Sequence, residues 1–323
     1  MPHLLVAGKL HPSGEAFLNN LTGKGVAVDY VQEISEASYA PLIHKADALV
    51  IRTQTLSAET IAQAANLKVV SRHGVGYDAV DLDALNRRAI ALTIVGDVNS
   101  VSVAEHAMMQ LLAGAKHALR ADRAVREPGR WGWRNRLEQR EISGKNLLII
   151  GYGRAGQKLA VMAAGFGMVV RAHDPDLERR GWPEGPVAPA GDLHAALEWA
   201  DCLSLHVPRS DSPVLGEPEF AAMAPGMIIA NTARGGVVCE DALFKALKDG
   251  RVHAAGVDVF SSEPPRPGLA LADLDNALLS PHIAGLTEEA SERMAIASIS
   301  NAMGFLDGTI DPDLIVNKEA LHG

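Results

Sequence analysis

Leu147-Leu148-Ile149-Ile150-Gly151-Tyr152-Gly153-Arg154-Ala155-Gly156 decides the fold, together with Asp174, which ends a second apolar run. A strand buried on both faces needs an unbroken apolar run, and Asn146 to Ile150 supplies one directly before the glycines. Gly151 permits a tight turn, Gly153 lets a pyrophosphate approach the backbone, and Gly156 lets the following helix lie close to the strand. The free N–H groups and positive dipole end of that helix favour an anion without a lysine, and no Gly-Lys-Ser/Thr follows, which excludes a nucleoside-triphosphate P-loop. A second strand, Met168 to Asp174, places a carboxylate about twenty residues past the glycines, where it meets ribose hydroxyls. A 2′-phosphate there meets like charge, so the expected cofactor is NAD rather than NADP, although Arg171, Arg179 and Arg180 lie nearby.

Working outward, the chain of 323 residues is long enough for two domains, and an apolar content of 47% supports well-buried cores. Aromatic residues make up only 4% and the net charge is −9, which argues against a nucleic-acid surface of stacking rings and basic patches. No apolar stretch approaches the roughly twenty residues that span a bilayer, and no signal core opens the chain, so a cytoplasmic enzyme without a membrane partner is expected. Cys202 and Cys239 have no partners at metal-ligand spacing and read as packing residues. His106 directly follows Glu105, and adjacent helical residues point apart, so no metal site is expected there or elsewhere.

Short strand-like runs alternate with helical patterns: Leu4 to Ala7, Val26 to Val31, Ala48 to Arg52, Lys68 to Arg72 and Ala91 to Val95. That alternation predicts an α/β fold with a parallel sheet covered on both faces. Ser100 to Leu119 carries helical spacing through Val103, Ala107, Met108, Leu111 and Leu112 and reads as one long helix linking two domains. Strands resume at Leu147, Val169, Cys202, Met227, Ala254 and Ala277, six in all, as a complete dinucleotide-binding sheet requires. The last helix, Thr287 to Asp307, is then surplus and is expected to return to the first domain. The expectation is a discontinuous domain of residues 1–98 plus 288–323, a dinucleotide-binding domain of 99–287, and a ligand in the cleft between them.

Three polar side chains follow apolar strands of the second domain: Arg234 in Asn231-Thr-Ala-Arg-Gly-Gly236, Glu263 in Gly256-Val-Asp-Val-Phe-Ser-Ser-Glu-Pro264, and His282 in Ser280-Pro-His-Ile-Ala-Gly285. Each alone could be an ion-paired, loop or packing residue. All three fall at carboxyl ends of strands, the rim where such sheets bind ligands.

With these motifs the chain resembles the D-isomer-specific 2-hydroxyacid dehydrogenases over essentially its full length. The glycine loop, Asp174, Asn231 to Gly235, Glu263-Pro264, Pro281-His282 to Gly285, and Arg72-His-Gly-Val-Gly-Tyr-Asp78 stand in that family's order and spacing. The resemblance implies two doubly wound domains, a flavodoxin-like substrate domain and a Rossmann NAD-binding domain, and a homodimer. It implies that Arg234 grips the substrate carboxylate and carbonyl, that His282 is the acid/base, and that Glu263 orients and charges the histidine. These roles suit the chemistry: a 2-oxo acid accepting a hydride needs a proton donor at its oxygen, and histidine serves near neutral pH. A glutamate beside it favours the imidazolium, and an arginine holds the planar carboxylate bidentately. Resemblance also places Arg154 and Ala155 at the pyrophosphate, Val207 and Pro208 beside the adenosine, and Thr232 and Asp258 near the nicotinamide. His206 reads as packing beside the cofactor and His73 as a cleft-lining residue.

In the family, Val75 and Gly76 lie at the substrate, where backbone N–H groups of a glycine-rich turn can receive a carboxylate oxygen. Arg52 and Arg72 both end strands of the first domain and are similar in position to residues of phosphoglycerate dehydrogenases, which implies 3-phosphoglycerate and 3-phosphohydroxypyruvate as the substrate pair. Structural ion pairs are the alternative for those two arginines. Sulfolactate would satisfy them equally, whereas hydroxypyruvate or glyoxylate would need neither. The chain stops soon after its return helix, so feedback control by serine through a further regulatory domain is not expected. Trp131, Trp133 and Arg134 are expected at the partner subunit, for packing or specificity. A non-enzymatic alternative is an NADH-sensing scaffold like the C-terminal-binding-protein corepressors, which resemble the same family.

Overall fold

In a computed structural model, which describes residues 1–321, the described chain forms two compact units, residues 1–99 with 286–321, and Ser100–Gly285. His322 and Gly323, which the sequence reading assigned to the discontinuous first domain, lie outside the described residues.

The first unit carries five parallel strands, β1 (His3–Ala7), β2 (Ala27–Val31), β3 (Ala48–Ile51), β4 (Val69–Arg72) and β5 (Ala91–Thr93), in the order β2-β1-β3-β4-β5. That is the flavodoxin-like order. Alternate residues feed two cores: Leu5, Leu49, Ile51 and Val70 face one way, and Leu4, Val6, Val50 and Val69 the other. The second layer is completed from the far end of the chain. The helix Glu288–Asp307 starts where Thr287 Oγ1 accepts from Ala290 N–H and ends at Gly308, whose φ of +72° suits glycine. Its Ala295, Ile299 and Ala302 are buried with Leu4 and Val50 of the first sheet. Burying each larger aliphatic side chain contributes about 1.5–3 kcal/mol.

The second unit has seven parallel strands, β6 (Asn146–Ile150), β7 (Val169–His173), β8 (Ala188–Pro189), β9 (Cys202–Leu205), β10 (Met227–Asn231), β11 (Val252–Val257) and β12 (Ala277–Leu279), ordered β12-β11-β10-β9-β6-β7-β8. The count of six therefore missed one. β8 is two exposed residues, one a proline, and leaves no apolar run to read. The sheet order reverses beside β6, the switch point at which the glycine loop opens.

The helix read as Ser100 to Leu119 is two. Ser100–Lys116 stops at His117, whose backbone is left-handed (φ +46°), and Ala118–Arg126 resumes. Ala104, Ala107, Met108, Leu111 and Ala115 of the first piece are buried against Leu147, Ile149, Ile228 and Ala230 of the second sheet. Among the described residues no helix is long and apolar enough to cross a membrane.

Candidate active site

The turn after β6 is built as its glycines require. A Cβ at Gly151 (φ +90°) would lie 2.6 Å from the His206 carbonyl oxygen, and one at Gly156 would strike the Gly151 carbonyl. A Cβ at Gly153 meets nothing, so the backbone there is open to an approaching group. Gly153 caps the helix Arg154–Gly165 without a side-chain acceptor, which leaves the N–H groups of Arg154 and Ala155 at the positive end of the helix dipole. Asp174 stands at the end of β7. Its Oδ2 accepts from Tyr152 N–H at 2.9 Å and its Oδ1 from Leu177 N–H at 3.0 Å, and each oxygen keeps a lone pair for a hydroxyl. Val207 packs against the Gly151 turn, next to the exposed Pro208. Thr232 is buried, and its Oγ1 has no hydrogen-bond partner among the described residues. An open glycine turn, an uncapped helix end, a strand-end carboxylate and an unsatisfied hydroxyl on one rim fit a dinucleotide.

His206 follows β9 with its Nε2 2.9 Å from Ser204 Oγ, and its Nδ1 is shielded. Burial pushes its pKa down to about 4, so the ring is neutral in ordinary buffers.

The three polar residues of the rim come from three loops. Arg234 follows β10 and donates from Nη1 to the Ala233 carbonyl at 2.7 Å. Glu263 lies beyond β11, where its Oε1 accepts from Phe260 N–H at 3.0 Å. His282 follows β12, and its Nδ1 sits 2.7 Å from Glu263 Oε2. Burial raises the Glu263 carboxyl, but the His282 and Phe260 hydrogen bonds and the His282 and Arg234 charges outweigh it, leaving the group below the usual carboxylate range. Glu263 is thus a carboxylate able to hold an imidazolium, and Arg234 is close enough to act on it. The His282 side chain is 49% exposed, so the rest of its ring is accessible.

Residues 108–284 match the family described as D-isomer specific 2-hydroxyacid dehydrogenase, NAD binding domain. The chain belongs to the D-isomer specific 2-hydroxyacid dehydrogenase family. It is 36% identical to a D-3-phosphoglycerate dehydrogenase of Archaeoglobus fulgidus over 86% of this chain and 53% of the relative. The chain therefore spans about half the length of that relative. It is 38% identical to a hydroxypyruvate reductase of Thermotoga maritima over 79% of this chain and 83% of the relative. A crystal structure of a Thermus thermophilus protein superposes with a TM-score of 0.86 at 30% identity, covering 97% of this chain and 99% of that one. The second unit is accordingly the family's NAD-binding domain.

In this dehydrogenase family member, Asp258 is engaged more closely with the histidine turn than its expected place near the nicotinamide suggests. Its carboxylate is fully buried: Oδ1 accepts from Ser280 Oγ at 2.5 Å and Ile283 N–H at 2.9 Å, and Oδ2 from Ala284 N–H at 2.8 Å. The Asp258 carbonyl also receives His282 N–H at 2.8 Å. His282 itself is left-handed (φ +53°), a conformation unfavourable for a side chain with a Cβ and held here by these bonds. His106 joins the same cluster, its Nε2 3.0 Å from Ser280 Oγ. Neither Ser280 nor His106 was singled out for this role from sequence, because they are 174 positions apart and no spacing rule connects them.

The substrate residues expected in the first unit fall together. Ile51 of β3 pairs with Arg72 of β4, and Arg52 follows Ile51 directly. Arg72 Nη1 donates to the Ile51 carbonyl at 3.2 Å and Arg52 Nη1 to the Lys9 carbonyl at 2.7 Å. No carboxylate pairs with Arg52 among the described residues. The neighbouring His73 is buried; that burial, then the Arg52 charge and, more weakly, the Arg72 charge press its pKa down to about 4, against a smaller backbone effect. Among the described residues the Arg52 guanidinium is thus a positive charge that no carboxylate neutralises. Val75 and Gly76 follow in the same turn as His73, Val75 packing toward Val95 and Met294.

Proposed function

We propose that the protein interconverts a D-2-hydroxy acid and its 2-oxo acid with NAD, and that its substrate pair is 3-phosphoglycerate and 3-phosphohydroxypyruvate. The observation that carries the reaction class is the His282–Glu263 pair at 2.7 Å on the strand-end rim that also bears Arg234. When bound, the reduced cofactor supplies a hydride to the substrate's carbonyl carbon. Arg234 stays charged throughout and holds the substrate carboxylate, fixing the carbonyl before reaction. Because Nδ1 of His282 is engaged by Glu263, Nε2 is the atom that delivers the proton to the developing alkoxide. Glu263 remains ionised and stabilises the imidazolium, while the Asp258 turn keeps the ring in place. Positioned proton transfer of this kind contributes about 10²–10⁴-fold in rate. Asp174 favours NAD by repelling a 2′-phosphate.

The choice of substrate rests on the positive charge of Arg52 beside His73, which suits a phosphorylated tail, and on the name of the Archaeoglobus relative. Arg72, paired in register with Ile51, is assigned to the same end of the ligand. The Val75 and Gly76 backbone is assigned to the substrate carboxylate. The name of the Thermotoga relative supports a second reading, reduction of hydroxypyruvate, which needs no distal cation. The reading extends to a cytoplasmic homodimer. What supports a dimer is the apolar surface on residues 118–137, where Val125 is 70%, Trp131 60% and Leu137 83% exposed, with Arg134 over the Trp131 ring.

The test is NADH oxidation with 3-phosphohydroxypyruvate, hydroxypyruvate, glyoxylate and sulfopyruvate, for the wild type and Arg52→Ala. Preference for the phosphorylated acid, with its KM raised in Arg52→Ala and that of glyoxylate unchanged, is expected. A preference for hydroxypyruvate that Arg52→Ala leaves intact would replace the phosphoglycerate reading with the second one.

A further inference from the structure

The helix Ser100–Lys116 lies directly on β11 because the strand offers it a glycine: a Cβ at Gly256 would fall 2.4 Å from Gln110 Cβ. Residues four apart share a helix face, so His106, one turn before Gln110, comes down over the carboxyl end of β11, where Asp258 stands two residues past Gly256. The His106 side chain is 13% exposed, and its Nε2 lies 3.0 Å from Ser280 Oγ and 3.7 Å from Asp258 Oδ1. Among the described residues it is the only basic side chain within ion-pair distance of the buried Asp258 carboxylate.

The protons of this cluster can be placed one by one. A carboxylate oxygen accepts only, so the 2.5 Å contact between Ser280 Oγ and Asp258 Oδ1 carries the serine's proton toward the aspartate. A hydroxyl has one proton, and with that proton committed Ser280 Oγ can only accept from the imidazole 3.0 Å away. Nε2 of His106 is therefore a protonated nitrogen. Were the proton on Nδ1 alone, Nε2 would draw the serine proton to itself, and Ser280 Oγ and Asp258 Oδ1 would meet at 2.5 Å as two oxygens with no proton between them. A nucleophilic serine is excluded as well, because its proton is held by a carboxylate and not removed by the imidazole.

We propose that His106 is a positioning residue for the reaction, its Nε2–H acting through Ser280 and Asp258 to set the turn that presents His282; this rests on the assignment of His282 as proton donor. Asp258 Oδ1 receives both Ser280 O–H and Ile283 N–H, and Oδ2 receives Ala284 N–H, so the carboxylate grips the turn on either side of His282. Between those contacts His282 is held left-handed at φ +53°, with its Nδ1 2.7 Å from Glu263 Oε2. An apolar group in place of the His106 N–H lets the Ser280 hydroxyl swing away from Asp258 and lets the strained turn relax, which moves the imidazole off its line to the substrate. The glycine loop and Asp174 take no part in this network, so cofactor binding is left in place.

The experiment compares the full-length wild type with His106→Leu and with the conservative rescue His106→Gln, whose amide N–H reaches about as far as Nε2, each verified as folded by circular dichroism. Amide hydrogen exchange over residues 277–285, read by mass spectrometry without substrate, should be about tenfold faster in His106→Leu than in the other two, with the glycine loop unaltered. Nitrogen NMR of the labelled imidazoles, the His106 signal being the one lost in His106→Gln, should show Nε2 protonated. With a 2-oxo acid that the wild type reduces, His106→Leu should lower kcat about tenfold, leave the KM for NADH nearly unchanged, and cause no further loss in His282→Asn, because it acts through that ring. Should His106→Leu not fold, Ser280→Ala, which removes the intervening hydroxyl and keeps the imidazole, takes its place in each comparison. Wild-type exchange in His106→Leu, an unprotonated Nε2, or losses that multiply in the double variant would each overturn the proposal. Faster exchange in His106→Leu with no turnover by the wild type would support the network and overturn the reaction assigned to it.

Discussion

Asp258→Asn is the perturbation that bears most directly on how the site is held. The carboxylate is 0% exposed and accepts three hydrogen bonds from the Ser280 to Ala284 turn. An asparagine presents one oxygen. Placed at Oδ1, that oxygen can still receive Ser280 Oγ and Ile283 N–H, but its amide nitrogen then faces the Ala284 N–H. Two opposed donors are left buried without acceptors, at about 1–3 kcal/mol each, so the expected loss is about 2–6 kcal/mol. All four tryptophans, Trp131, Trp133, Trp182 and Trp199, belong to the second unit, so their fluorescence in urea follows that unit alone and avoids treating the two units as one transition. The midpoint should fall by about 1 M or more. Because the left-handed His282 backbone is stabilised by the same bonds, kcat should drop about tenfold or more, a shift of about 1.4 kcal/mol in the barrier. A variant that unfolds at the wild-type urea concentration and turns over at the wild-type rate would refute the reasoning.

Gly235→Ala should lower kcat about tenfold and destabilise the second unit by about 1–3 kcal/mol, because its Cβ would strike the Phe260 carbonyl and displace the loop whose Phe260 N–H holds Glu263; steady-state rates and urea unfolding check both effects. His73 has a folded pKa of about 4 against an ordinary 6.5, so the unfolded chain binds the proton first and stability is lost as pH falls through that window, by about 2 kcal/mol at about pH 5. Urea unfolding followed by circular dichroism should show that loss in the wild type and a smaller one in His73→Gln. Asp174→Ala should raise kcat/KM with NADPH relative to NADH by removing like charge at the 2′ position; an unchanged ratio would assign the preference elsewhere.

Much of this was legible in the sequence because the deciding features are local. Leu147 to Gly156 names its strand, turn and helix within ten residues, and the buried strands of both sheets appear as apolar runs. Arg234, Glu263 and His282 could be read as one rim because each lies in the loop that follows such a run. What escaped was set by tertiary contact. β8 has no apolar signal, since Ala188–Pro189 is exposed and gains its identity only by pairing with Arg171 and Ala172. The break at His117 carries neither glycine nor proline, and its left-handed backbone is visible only in the fold. Asp258 stands where the family places a nicotinamide contact, yet its carboxylate is committed to a turn more than twenty residues later, with His106 arriving from another helix.

The most direct test of the central claim is NADH oxidation with 2-oxo acids by wild type and His282→Asn, with NADH affinity measured in parallel by fluorescence. The account predicts turnover of an anionic 2-oxo acid by the wild type, a loss of about 10²-fold or more in His282→Asn, and nearly equal NADH affinity in the two. Tight NADH binding with no turnover of any 2-oxo acid by the wild type, or undiminished turnover by His282→Asn, would contradict it.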